Sequence, residues 1–477
     1  MTRRFFRPAP LITVLLLVAP MSAIAAEETL ARGQVVDHVA CRVTPAQTYA
    51  LYLPSSYSSN KRWPVLYCFD PVARGALPVQ LYREAAEKYG WIVVGSNNSR
   101  NGSIDQSVAA AKAIWEDTHE RFQIDDRSVY MTGFSGGSRV ALAFAYLCDN
   151  HCVSGVIANG AGFMPNILSK LDSPNAKPSF AIFGLAGIED FNFAEMRTLD
   201  DLLEHLSVSH HFETFPGAHE WATKEALMDA VGWMELQAIK AGRKQRDDAL
   251  IESLWQTQVA RARRSEAAGD LYEAYRLDVA LASDFNGLRD VTDFRQKAAQ
   301  LKESEAVKRA LKAALDEIKR QREMVTRLTT ASNQNDDQES RGDALASFHL
   351  SIAKLRKAAG EAQDSSDRRV ARRTLNGVFA FYFERGQTLI QNTKNYRAAA
   401  ASLEIAAAIK QDQPGPFYVL ATAYALAGDR KRALEALKKA VEKGFNVPGT
   451  IEGDHAFDSL RKEAEYLKII ERLKQQR

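Results

Sequence analysis

Ser135 stands in surroundings that indicate chemistry. It lies in the run Gly133-Phe134-Ser135-Gly136-Gly137, which matches the pattern G-x-S-x-G. The residues before this run, "SVYMTGF", are typical of a strand, and those after it, "SRVALAFAYL", are typical of a helix. A serine in a sharp strand-to-helix turn presents its hydroxyl outward, and small flanking residues avoid a collision with neighbouring backbone. The pattern predicts a nucleophile, although glycine and serine are also common in ordinary turns.

A nucleophilic serine needs a base, and His219 has a suitable position for one. It follows the strand-like run "HHFETFPG" and precedes the last helix of the alternating region. In the chain order Ser, acid, His, the base comes from the loop after the last strand. His210 and His211 lie at the start of that strand, where contact with water or with the end of the sheet is the simpler expectation. The sequence therefore predicts His219 as the base.

The acid is expected after the strand-like run "SFAIFGLAG", where Glu189 and Asp190 are adjacent. Asp190 is the first choice because its short side chain would hold an imidazole rigidly, and Glu189 is the alternative. Both could instead be carboxylates that favour the N-terminus of the following helix. With Asp190, the order Ser135, Asp190, His219 has gaps of 55 and 29 residues.

An oxyanion in the transition state needs two fixed N–H donors. One is expected from Gly136, which begins the helix after the nucleophile. The second is expected from the loop "PVARG" after the strand "PVLYCFD". Pro71 has no N–H, so the sequence points to Val72, or alternatively to Ala73.

The elements around these residues alternate between strands and helices up to about residue 240. Such alternation predicts βαβ units and a doubly wound, mostly parallel sheet that is covered by helices on both faces. In a sheet of this kind the loops at the carboxyl ends of the strands meet at one edge. The three predicted catalytic side chains would therefore come together there.

Beyond residue 240 the pattern becomes entirely helical. Two segments match at an offset of 34 residues, pairing Ala399 with Ala433, Leu403 with Leu437, and Ala406 with Ala440. A helix-pair repeat of this length resembles the tetratricopeptide family. The resulting organisation is a signal peptide at 1–25, a catalytic domain at 26–240, a helical linker or degenerate helical repeats at 241–370, and a tetratricopeptide-like helical repeat domain at 371–477.

The first 25 residues have a basic start, an apolar run and the pair Ala23 and Ala25 before a cleavage point near Ala25 or Ala26. This is the pattern of a secretory signal peptide, and its apolar run is short for a membrane span. We therefore expect an exported protein, periplasmic or extracellular, with no stable membrane span. Residues 26–240 carry 17 basic and 25 acidic side chains, and residues 241–477 carry 42 and 34. Neither half has the dense basic block expected of a nucleic-acid binder.

All four cysteines lie in the first half of the chain. In an oxidising compartment Cys148 and Cys152 could close a small loop as a disulfide. Cys41 and Cys68 could form a second pair, or could be buried thiols.

The segments "WPVLYCFDP", "VYMTGFSGGSRVA", "EDFNF" and "GAHEW" resemble the α/β-hydrolase serine esterases, in particular those related to polyhydroxybutyrate depolymerases and feruloyl esterases. The resemblance implies a Ser135–Asp190–His219 triad that cleaves small or polymeric esters without a cofactor or metal. The segment "FDPVARG" departs from the His-Gly that many members have there. Tetratricopeptide-like helices would bind a protein partner. The alternatives are an interaction protein with an inactive hydrolase domain, and a peptidase on the same fold.

Overall fold

The chain has an α/β half and a helical half. The computed structural model describes residues 30–148, 152–171, 176–330 and 338–475. The predicted signal peptide lies outside these ranges. Within the described residues the α/β half ends with a helix at Lys224–Lys240, and the regular elements that follow are all helices. The domain limits drawn from the sequence stay a prediction.

Eight strands form one sheet. They are β1 (Val35–Ala40), β2 (Thr48–Tyr52), β3 (Trp63–Phe69), β4 (Ile92–Ser96), β5 (Ile124–Phe134), β6 (Gly155–Asn159), β7 (Ala181–Gly187) and β8 (His210–Phe215). Their spatial order is β1-β2-β4-β3-β5-β6-β7-β8. Strand β2 is antiparallel to both of its neighbours, and every other pairing in the sheet is parallel.

Six helices cover the two faces of this sheet. They are α1 (Ala76–Tyr89), α2 (Ile104–Arg121), α3 (Gly136–Leu147), α4 (Pro165–Leu171), α5 (Phe193–His205) and α6 (Lys224–Lys240). Helices α1 and α6 bury side chains such as Tyr82 and Leu227 on one face. Helices α2 to α5 bury Ile114, Leu142 and Leu199 on the other. Because both faces are covered, the parallel strands are continuous apolar runs rather than alternating ones.

The strand order, the antiparallel β2 and the helices on both faces are those of the α/β-hydrolase fold. The predicted fold class, a doubly wound and mostly parallel sheet followed by an all-helical region, is therefore confirmed. Strand β1 was missed by the sequence reasoning. Among the described strands it lies at the edge of the sheet beside β2, and its pairing with β2 shifts register between Val36 and Val39.

The helical half continues directly from α6. Its helices are α7 (Asp248–Ala267), α8 (Leu271–Asp284), α9 (Thr292–Glu303), α10 (Glu305–Thr330), α11 (Gln338–Ala359), α12 (Ser366–Thr388), α13 (Tyr396–Ile409), α14 (Pro414–Leu426), α15 (Arg430–Glu442), α16 (Pro448–Gly453) and α17 (Ala464–Gln475). Several begin at a side chain that caps the first turn, as Asp247, Asp270 and Asp429 do. No helix among the described residues is long and apolar enough to cross a membrane.

The 34-residue match coincides with equivalent burial. The six matched side chains, which have no measurable exposure, are Ala399, Leu403, Ala406, Ala433, Leu437 and Ala440. They lie on α13 and α15, which both pack against α14. Small side chains at these points let neighbouring helices approach closely, as a helical repeat requires. The assignment to tetratricopeptide units stays a prediction.

The four cysteines divide into one bonded pair and two free thiols. Cys148 and Cys152 form a disulfide with Cα atoms 6.1 Å apart. Cys41 and Cys68 are free and buried, so of the two alternatives the structure has the buried thiols and not a second disulfide. The reason is geometric: Cys41 packs in the core on one face of the sheet and Cys68 in the core on the other. Burial raises the pKa of the Cys41 thiol to about 11.

Candidate active site

Ser135 occupies a strained turn between β5 and α3. Its backbone has φ 53° and ψ −121°, which a non-glycine residue rarely adopts. The Ser135 N–H donates to the Asn159 carbonyl of β6 at 2.9 Å and ties the turn to the sheet. A Cβ on Gly133 would lie 2.2 Å from the Gly137 carbonyl carbon, and one on Gly137 would lie 2.0 Å from the Phe69 oxygen. The glycines at 133 and 137 are therefore required by the backbone around the turn.

The structure brings the three predicted catalytic side chains into one hydrogen-bonded chain. His219 Nε2 lies 2.8 Å from Ser135 Oγ, and His219 Nδ1 lies 2.8 Å from Asp190 Oδ1. Asp190 comes from the loop after β7, and His219 comes from the loop after β8. Both distances are in the hydrogen-bonding range that a base and its orienting acid need.

Asp190 is completely buried, and the groups around it hold its carboxylate in place and shift its pKa. Burial raises the pKa of the Asp190 carboxyl, and the hydrogen bond to His219 opposes that rise. The Asn192 N–H donates to Asp190 Oδ1 at 2.7 Å and holds the carboxylate in place. Gly160 leaves room for this group, because a Cβ there would lie 2.9 Å from Asp190 Oδ2.

Two aromatic rings hold the His219 imidazole between them. The Phe134 ring centroid is 4.6 Å from that of His219, and the Phe191 centroid is 4.1 Å away. Each ring belongs to a residue that is adjacent in sequence to one of the three: Phe134 directly precedes Ser135, and Phe191 directly follows Asp190. The rings limit rotation of the imidazole, so its two nitrogens stay directed at the serine and the aspartate.

Glu189, the alternative acid, faces away from the histidine. Both of its carboxylate oxygens accept hydrogen bonds from Arg372 of α12 at 2.8 Å, and Arg368 lies 3.5 Å away. The two adjacent acids therefore serve different partners. Asp190 contacts His219, and Glu189 contacts the helical half.

The two expected oxyanion donors are placed differently. Gly136 is the first residue of α3, where the N–H has no carbonyl partner within the helix. The Val72 N–H instead donates to Asp70 Oδ1 at 2.9 Å, and the Ala73 N–H donates to the Asp70 carbonyl at 3.1 Å. Both candidate N–H groups of the "PVARG" loop therefore already donate hydrogen bonds to Asp70. The prediction of Val72 as the second oxyanion donor is therefore wrong, because its N–H already donates to Asp70.

Asp70 explains why this loop differs from the expectation. It is fully buried and accepts hydrogen bonds from Arg74 Nη2 and from the Trp221 indole N–H, both at 2.9 Å. Burial raises the pKa of Asp70, but the hydrogen bonds from Arg74, Trp221 and Val72 outweigh it and lower the value. Because Trp221 is two residues after His219, Asp70 links the loop after β3 to the loop that carries the base.

Asn101 was also missed by the sequence reasoning. Its N–H donates to the Pro71 carbonyl at 2.8 Å, which brings its side chain over the start of α3. A Cβ on Gly136 would lie 1.8 Å from Asn101 Oδ1. Gly136 therefore leaves room for the Asn101 side chain beside the start of α3.

Helices α10 and α12 clamp the loop that carries Asp190. Arg373 Nε donates to the Ile188 carbonyl at 2.7 Å, and Gln321 Nε2 donates to the Phe191 carbonyl at 2.7 Å. Arg373 is buried and pairs with Glu317 at 3.2 Å. Burial lowers the pKa of Arg373 to about 10, so its guanidinium stays charged at neutral pH. The arginine-rich run "DRRVARR" in α12 was visible in the sequence. It did not indicate that these arginines would contact the loop that carries Asp190.

No protein-family model matches the chain, and no curated protein matches it. Solved structures do show a likeness. Serine hydrolase FphF of Staphylococcus aureus matches at 15% identity and a TM-score of 0.35, over 43% of this chain and 99% of that chain. The S-formylglutathione hydrolase FrmB of the same organism matches at 16% and 0.34, over 43% and 98%. A ferulic acid esterase matches at 16% and 0.35, over 42% and 94%. At these values the likeness says nothing about this chain's substrate.

Proposed function

We propose that this protein is a serine hydrolase that cleaves carboxylic esters. The observation that carries the proposal is the unbroken chain from Ser135 Oγ through His219 to Asp190, with both links at 2.8 Å. The strained backbone of Ser135 supports it, because strain of this kind persists where a side chain must be presented for a reaction.

In the first step Ser135 Oγ attacks the carbonyl carbon of the ester and transfers its proton to His219 Nε2. The carbonyl oxygen becomes an anion, which the Gly136 N–H at the start of α3 stabilises. The bond to the alcohol oxygen then breaks, and His219 returns the proton to the departing alcohol. An acyl group remains on Ser135.

In the second step a water molecule gives its proton to His219 and attacks the acyl carbon. The bond to Ser135 Oγ breaks, the serine recovers its proton from His219, and the carboxylic acid leaves. Asp190 stays ionised and orients the imidazole throughout. This sequence of steps needs no metal or cofactor.

The wider proposal concerns location and partners. Export is supported by the signal-like start of the sequence and by a disulfide between Cys148 and Cys152, which suits an oxidising compartment. The helices after α12 are proposed to bind a protein partner, in keeping with their 34-residue match. When a host expresses the full-length sequence, cell fractionation is expected to recover the mature protein from the periplasm or the medium and not from the cytoplasm.

The test of the activity is hydrolysis of 4-nitrophenyl acetate by the mature protein and by Ser135→Ala. We expect the substitution to lower kcat/KM by about 10⁴-fold or more. Ser59→Ala is the matched control. Ser59 is an exposed serine just before β3, at the amino ends of the parallel strands and so opposite to the loops that carry Ser135, Asp190 and His219. An inactive wild-type protein would favour the interaction-protein alternative, and a Ser135→Ala variant that keeps its activity would contradict Ser135 as the nucleophile.

A further inference from the structure

One face of α12 extends from the acid loop towards the catalytic histidine. Arg373, Gly377, Ala380 and Glu384 are spaced by four, three and four residues, so they lie on the same side of the helix. Arg373 contacts the acid loop through the Ile188 carbonyl, as described above. These residues define what we name the α12 face.

The middle of the α12 face lies against Phe191. A Cβ on Gly377 would be 3.5 Å from Phe191 Cβ, and the Phe191 ring in turn packs on His219. Gly377 and Ala380 have the smallest side chains available and are half-buried, so α12 packs closely against the acid loop here and projects little side chain beyond it. Glu384 follows Gly377 by two turns, about 10 Å along the helix axis.

Glu384 places a negative charge at the far end of this face. Burial raises the pKa of its carboxyl, and the His219 and Arg139 side chains act electrostatically in the opposite direction. Both of those residues belong to the catalytic region, since Arg139 follows Ser135 by one turn of α3. Glu384 is nevertheless exposed, so a ligand in solution can reach its carboxylate.

The neighbouring cation Arg139 is already paired, whereas Glu384 has no partner among the residues that the structure describes. Arg139 forms an ion pair with Glu195 at 2.8 Å. Glu384 has no hydrogen bond or ion pair to any residue in the described part of the chain. Phe381, which is 40% exposed, stands on the flank of the same face. An unpaired carboxylate beside an exposed aromatic ring is a combination that attracts cations.

We propose that the α12 face is one wall of the substrate cleft and that Glu384 binds a positively charged group of the ester. The proposal rests on the proposed esterase function and names its substrate class. The ester carbonyl would lie at Ser135, and the cationic end would extend along Gly377 and Ala380 to Glu384. The helical half would then determine specificity at a site whose chemistry belongs to the α/β half.

The test compares acetylcholine with its neutral isostere, 3,3-dimethylbutyl acetate, and with the anionic 4-acetoxybutanoate, by acid release in a pH-stat at pH 8. The readout is the ratio of kcat/KM for the cationic ester to that for the isostere. We expect the wild-type ratio to be about tenfold, Glu384→Gln to bring it near one, and Glu384→Lys to favour the anionic ester. Glu435→Gln, an exposed glutamate on α15, is the matched control and should leave the ratio and the activity unchanged.

A wild-type ratio near one, or a high ratio that persists in Glu384→Gln, would overturn the inference. Failure of the esterase function gives a different result, because then none of the three esters is hydrolysed through Ser135. In that case calorimetry of acetylcholine with Ser135→Ala decides the matter. Binding that Glu384→Gln abolishes supports the cationic site, and absence of binding contradicts it.

Discussion

The α/β half and the helical half contribute to one site in different ways. Ser135, Asp190 and His219 all come from the α/β half, on loops at the carboxyl ends of its strands. The helical half supplies the clamp on the Asp190 loop, through Gln321 and Arg373. The α/β half has an acidic excess and the helical half a basic one, and ion pairs such as Glu189–Arg372 join them.

This difference separates chemistry from positioning. The three residues of the triad lie on short loops that follow β5, β7 and β8 in chain order. Its acid loop, however, is held by a guanidinium 185 residues away in the sequence. Helices α10 and α12 therefore support the proposed active site, and the helices after α12 are the part proposed to bind a partner.

The largest expected effect tests which of the two adjacent acids belongs to the chemistry. Asp190→Asn should lower kcat by about 10⁴-fold, because an asparagine no longer orients His219 or stabilises its charged form. Glu189→Gln is the matched control, because it removes an equal charge that faces Arg372 instead. Steady-state kinetics on 4-nitrophenyl acetate would contradict the assignment if Glu189→Gln were the more damaging change.

A smaller effect tests the clamp. Arg373→Met removes the hydrogen bond to the Ile188 carbonyl. Among the described residues it leaves Glu317 with Arg369 as its one remaining ion-pair partner. We expect kcat to fall by about 10- to 100-fold with little change in KM, because a displaced acid loop misdirects His219. Arg373→Lys should recover part of the loss, since an ammonium retains the charge and a donor.

The control for the clamp is Arg472→Met, which removes an exposed arginine from α17. It should leave kcat unchanged. Thermal unfolding of both variants separates positioning from loss of folding. If Arg373→Met keeps the wild-type kcat while remaining folded, the helical half does not position the acid loop.

The smallest expected effect on activity comes from the far end of the helical half. Leu437→Ala removes a fully buried side chain from α15 and should lower the free energy of unfolding of that region by about 2–5 kcal/mol. The value of kcat should change by less than about twofold, because α15 packs on α14 and α17, whereas the hydrogen bonds to the acid loop come from α10 and α12. A large loss of kcat at temperatures where the protein stays folded would show that the clamp extends through the repeats.

Much of the fold could be predicted because its signals are local. Strands β2 to β8 are apolar runs bounded by turns, and their alternation with helices determines a parallel sheet. The positions of Ser135, Asp190 and His219 followed from the strands they succeed, and the structure places the three within hydrogen-bonding distance. Strand β1 was missed because "VVDHVA" at a sheet edge has only a weak pattern.

The errors concern interactions that link distant residues. Val72 was expected to offer its N–H, but the side chain of Asp70, itself held by Trp221, accepts that hydrogen bond. A disulfide between Cys41 and Cys68, one of two alternatives, is excluded because the two side chains lie in the cores on opposite faces of the sheet. The α12 contacts with the acid loop depend on a tertiary packing that helical periodicity cannot show.

The account can be tested most directly by locating the acyl group. The mature protein is mixed with 4-nitrophenyl acetate, quenched in acid during the first turnover, digested and examined by mass spectrometry. We predict an acetyl group on Ser135, with none on that peptide in Ser135→Ala. An acetyl group on another residue, or hydrolysis that continues in Ser135→Ala with no acyl-enzyme, would contradict the proposed mechanism.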